Sequence, residues 1–95
     1  MPQPSGYTPT YIATATTTLV ATGPGVLHAL TLGETAAGAI TVYDGLDTGG
    51  TVIGVLKASV AEGDYFRDMT FNTGLTIVTA GASKLTAQWV TLGRT

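Results

Sequence analysis

An all-β, antiparallel sandwich or small barrel is the fold class this sequence predicts, and three observations predict it. Apolar and β-branched residues alternate with period two along several short runs, which is the spacing of a pleated strand with one face buried. Glycine-rich turns separate these runs about every ten to twelve residues, the punctuation of a sandwich or barrel. Helical spacing of apolar residues is sustained nowhere.

Each element follows from its residues. The first ten, MPQPSGYTPT, hold Pro2, Pro4 and Pro9. Proline fixes φ and lacks an amide proton, so an extended arm outside any ladder is expected over residues 1–10, ahead of a single domain over 11–95. YIATATTTLV reads as one strand, with Thr14, Thr16 and Thr18 on one face and Ala13, Ala15 and Leu19 on the other. TGPG turns the chain into VLHALTL, where Val26, Leu30 and Leu32 are expected on a common face. GETAAG leads to AITVY, with Ile40 and Val42 together, and TVIGVL follows at 51–56. LKASVAEGD at 56–64 reads as a strand end and a loop, with a turn of helix as the alternative. DYFRDMTF aligns Tyr65, Met69 and Phe71, and LTIVTA and KLTAQWVTL complete seven to eight short strands.

Composition narrows the function classes. Ninety-five residues make one domain near the lower end of what folds on a single core. Ordering such a chain costs on the order of 100–150 kcal/mol, so most apolar residues must be buried. The chain is 44% hydrophobic but only 11% charged, against roughly 25% charged in an ordinary soluble domain. Thr, Ala and Gly fill the gap, a surface suited to packing against other proteins. Four basic residues, Lys57, Arg67, Lys84 and Arg94, are scattered in a chain of net charge −2. That arrangement argues against nucleic acid as a partner. The chain has no cysteine, which excludes disulfides and thiolate chemistry. No apolar run approaches the roughly 18–20 residues of a membrane-spanning helix, and the N-terminus has neither the basic start nor the apolar core of a signal peptide. A cytosolic protein, or one assembled in the cytosol into something larger, is expected.

The motifs that resemble chemistry read better as structure. ITVYDGLDTGGTVIG, residues 40–54, sets Asp44 and Asp47 with three glycines, Gly45, Gly49 and Gly50, between two short apolar runs. Calcium needs six to eight oxygen ligands, whereas Asp-Gly and Gly-Gly supply tight turns, so a hairpin is expected and no metal site. Gly45 is a candidate for positive φ there. His28, the only histidine, is expected on the face of Val26 and Leu30, packed or at an interface; a catalytic triad would need an activated serine beside it, and Ser5, Ser59 and Ser83 lie in no nucleophile elbow. Glu62, Asp64 and Asp68 read as a solvated edge and not as a glycosidase pair. Trp89, on the face of Leu85 and Ala87, is expected in the core or at an interface. Together with Trp89, the tyrosines Tyr7, Tyr11, Tyr43 and Tyr65 are the candidates for a sugar-binding platform. No catalytic constellation, cofactor or small-molecule substrate is expected.

Gly23 to Leu27, Ala36 to Asp44 and Phe71 to Val78, taken with the order of strands and turns, resemble a class of small tailed-bacteriophage virion proteins. These residues lie within ATTTLVATGPGVLHALTLGETAAGAITVYDGLDTGGTVIG and FNTGLTIVTAGASKLTAQWV. They are turn and core positions. The resemblance implies a jelly-roll-like β-sandwich and, for function, a capsid cement or decoration protein on the capsid exterior, assembled in the host cytoplasm. The major capsid protein would be its partner, and a homo-oligomer, trimer before dimer, its state. Pro2, Pro4, Tyr7, Pro9 and Tyr11 are the residues assigned to partner binding. Another phage component, of tail or neck, and a carbohydrate-binding or host-attachment module are the alternative readings.

Overall fold

A computed structural model describes residues 8–66 and 68–91. Nine strands form two antiparallel sheets: β1 (Thr8–Ile12), β2 (Thr16–Thr22), β3 (Gly25–Glu34), β4 (Ile40–Asp44), β5 (Thr51–Leu56), β6 (Gly63–Tyr65), β7 (Met69–Phe71), β8 (Gly74–Thr79) and β9 (Lys84–Thr91). The first sheet runs β1-β9-β3-β6, with β7 also on β3, and the second runs β2-β8-β4-β5. With β6 and β7 taken as one interrupted strand, this order is that of a jelly roll, two Greek keys folded into facing sheets.

The core lies between the sheets. Leu27, Leu30, Leu32 and Leu85 from the first sheet meet Ile40, Val42, Leu75 and Ile77 from the second, all 0–1% exposed. Phe71 joins them at 1%. Each such side chain contributes about 1.5–3 kcal/mol relative to an exposed one.

Four expectations need correction. The run from Tyr11 to Val20 is two strands, not one: β1 belongs to the first sheet and β2 to the second, and residues 13–15 turn the corner between them. β1 also starts inside the expected arm, with Pro9 opposite Gln88 and Thr10 opposite Ala87. An edge strand tolerates proline because one side of its backbone makes no ladder. Residues 1–7, and with them Pro2, Pro4 and Tyr7, lie outside the described residues.

The inward residues of β3 are Leu27, Leu30 and Leu32, not Val26 with Leu30. The pairing with β9 skips His28, passing from Leu27↔Trp89 to Ala29↔Gln88. One extra residue in a strand reverses its inside–outside parity. A bulge in β2 at Val20 acts in the same way: Leu19 is 48% exposed while Ala21 is buried. Finally, DYFRDMTF is broken, with Phe66 and Asp68 at φ 56° and 54° between β6 and β7. Asp64 and Asp68 therefore stand on separate short strands or their flanks, not on one straight strand.

Candidate docking surface

Residue 40–54 is the hairpin expected, β4 pairing with β5. Asp47 closes the loop, its Oδ1 accepting from Gly49 N at 2.8 Å, while Gly50 N donates to Asp47 O at 3.2 Å. Gly45 is required for closeness, not for positive φ: a Cβ there would stand 2.7 Å from Gly50 Cα. Asp44 does something the sequence did not announce. Its carboxylate accepts from Asn72 N at 2.9 Å and from Thr73 N at 2.9 Å. The Thr73 amide does most to hold the Asp44 pKa below the usual carboxylate value; burial opposes it, and the Asn72 and Gly74 amides add to the lowering. The clamp ties the β4 end to the turn that carries the chain from β7 to β8. Among the described residues, no three Asp, Glu or His side chains gather as a metal site.

The other polar residues serve the first sheet. His28 Nδ1 lies 2.9 Å from Asp68 Oδ1, and Asp68 N donates to His28 O at 2.9 Å. His28 is one-third exposed, because the bulge turns it off the Leu30 face. Thr31 Oγ1 donates to Asp64 Oδ1 at 2.8 Å, and Glu62 accepts from Thr35 N at 3.1 Å. These acids anchor backbone and side chains on the β6–β7 side of β3. Trp89 packs against the core, as expected, and donates from Nε1 to Thr10 Oγ1 at 2.9 Å. Tyr11, 63% exposed on β1, and Tyr65 on β6 stand at opposite edges of the first sheet, while Tyr43 is on the second. They do not form one aromatic platform.

The outer face of the second sheet is the surface with no internal explanation. Direct cross-strand partners share a face, and the register places two rows across all four strands. One is Leu19, Thr76, Tyr43 and Val52; the other is Thr17, Val78, Thr41 and Val55. Thr76 is buried, its hydroxyl donating to Gly45 O at 2.9 Å. Leu19, Val52 and Val55 are each about half exposed, at 48%, 50% and 57%. Neither row contains an Asp, Glu, His, Lys or Arg. Of the residues predicted to bind a partner, Pro9 and Tyr11 are exposed on β1, in the other sheet. The face went unnoticed in the sequence because two bulges, at Val20 in β2 and at Ile53 in β5, disguise its period. Comparison with protein-family models, with curated proteins and with solved structures gives no match.

Proposed function

We propose that this protein is a non-enzymatic virion structural protein of a tailed bacteriophage, a cement or decoration protein on the capsid exterior. The observation that carries the reading is the uncharged outer face of the second sheet, with Leu19, Val52 and Val55 half exposed. Covering such a face removes apolar area from water without burying a charge, which is the favourable case for a lasting contact. The partner is the major capsid protein. The face buries against joints between capsid subunits, so that pulling the subunits apart requires breaking additional contacts. The jelly-roll sandwich, the low charge and the exposed Pro9 and Tyr11 support the same reading. The protein assembles in the host cytoplasm and acts as a homo-oligomer.

The test is to add the protein to heads that lack it and to measure occupancy and the temperature of head rupture. Val55→Glu is expected to reduce occupancy at least tenfold while leaving the fold intact, since that side chain points to solvent. A chain lacking residues 1–7 tests the arm; the cut stops before Thr8 because Thr8–Ile12 is a ladder strand. Binding to purified tails and not to heads would sink the capsid reading in favour of a tail or neck component. Specific capture on a glycan array would favour the host-attachment reading.

A further inference from the structure

The four sheet edges are not alike. In the first sheet, β1 carries Pro9, and the opposite edge is split into two three-residue strands with Asp64 and Asp68 on it. Short strands, charge and proline are the ordinary protections against edge-to-edge pairing. In the second sheet, β5 is followed at once by Lys57, and Phe66 packs on Gly54. β2 is seven residues, TTTLVAT, with no charge, proline or glycine. Its one protection is the bulge at Val20, which leaves Thr16–Leu19 in regular register with Thr79–Thr76.

Hydrogen bonds at both ends of β2 say which backbone groups remain open. Thr16 N donates to Thr79 Oγ1 at 3.0 Å, and the same hydroxyl is 3.2 Å from Thr16 O, so Thr16 faces β8. Beyond the far end, Gly23 N donates to Thr73 O at 2.8 Å, again toward the β8 side. Successive residues of an antiparallel strand direct their N–H and C=O to alternate sides. Thr17 and Leu19 therefore present theirs to the open edge, and among the described residues β2 pairs with β8 alone.

We infer that β2 pairs antiparallel with β2 of a second copy, about a twofold axis at Thr18. This register sets Thr17 opposite Leu19 of the other copy and Leu19 opposite its Thr17, so all four open residues exchange N–H···O bonds. Registers shifted by two residues bring the bulge or the corner at 13–15 into the pairing. No ionisable group lies opposite another, so nothing repels. The pairing joins the Leu19 row of one outer face to the Thr17 row of the other and covers the exposed half of Leu19. Two four-stranded sheets become one of eight strands. The interface is isologous and closes at two, in place of the trimer implied by the resemblance. It stands or falls independently of the capsid reading.

Proline distinguishes the open residues from their neighbours. Thr17→Pro removes a donor directed away from β8, so the chain is expected to keep its fold and to sediment as a monomer, with the dimer dissociation constant raised at least tenfold. Thr18→Pro removes a donor directed to β8 and is expected to damage the fold itself. Thr18→Cys is the second, independent measurement, because the chain has no cysteine. At the axis it forms a non-hydrogen-bonded pair with Cα atoms about 4.5 Å apart, within disulfide reach. Mild oxidation should give a covalent dimer, whereas Val55→Cys on the other edge should stay a monomer. A monomeric wild type at high concentration, undiminished association of Thr17→Pro, or cross-linking of Val55→Cys in preference to Thr18→Cys would each overturn the inference.

Discussion

The two sheets share one core and differ in the charges and the edges they show to solvent. The first sheet is finished as a free surface: His28, Asp64, Asp68 and Gln88 are on it, His28–Asp68 and Glu34–Lys84 pair across its strands, and its edges are broken or carry proline. The second has two rows without Asp, Glu, His, Lys or Arg and a seven-residue edge whose one protection is the bulge at Val20. Its one acid within a strand, Asp44, is occupied by the amides of Asn72 and Thr73. The fold alone does not require this asymmetry, since a sandwich needs only its inner faces apolar. The difference teaches that a shared core leaves the outer faces free to diverge: the second sheet shows solvent an uncharged face, the first a set of paired charges.

The sharpest way to break this comparison is to set the core against the outer face. Leu30→Ala should cost about 2–5 kcal/mol, as deletion of a fully buried leucine does. Leu19→Ala should change the stability of the monomer by less than about 0.5 kcal/mol. Urea unfolding of both, at a concentration where the chain is monomeric, measures the contrast; equal losses would mean that Leu19 is part of the core.

A smaller effect is expected where the sheets are joined at their edges. A Cβ on Gly54 would lie 2.7 Å from the Phe66 ring. Gly54→Ala should therefore displace Phe66 and cost about 1–3 kcal/mol, with Phe66→Leu relieving part of the loss when combined with it. Thermal melts of the single and double variants test this, and additive losses would contradict it.

Asp44→Asn sharpens the comparison from the acid side. The folded-state pKa of Asp44 is lowered, so its contribution is present above the unfolded value of about 3.9 and is lost as pH falls through the lower folded value. The variant should melt below the wild type at neutral pH, and the gap should close in strong acid. A gap independent of pH would assign the effect to something other than the carboxylate charge.

The first sheet's exposed pair should matter least among the substitutions. His28→Ala or Asp68→Ala is expected to cost no more than about 1 kcal/mol, the range of solvent-exposed ion pairs. Calcium or a chelator should leave the melting temperature unchanged, because Asp44 and Asp47 are engaged with backbone amides of turns. A rise of several degrees in millimolar calcium would overturn the structural reading of that loop.

Local chemistry was enough for much of this. Alternation of Thr, Val, Ile and Leu marked the strands, and Gly-rich turns separated them. The Asp-Gly and Gly-Gly steps of residues 44–50 identified the β4–β5 hairpin. These features depend on neighbours two to six residues apart, which a chain displays directly.

What only the tertiary structure decided depends on partners far along the chain. The bulges at His28 and Val20 are set by pairing with β9 and β8, and each reversed which side chains face inward. The change of sheet at residues 13–15 is invisible in a run that alternates on both sides of it. Asp44 finds its amides 28 and 29 residues away. Period two specifies that a strand has two faces, but one added residue exchanges them. The sequence by itself thus determined that there would be strands and a sandwich; long-range register decided which surface was left apolar and which edge was left open.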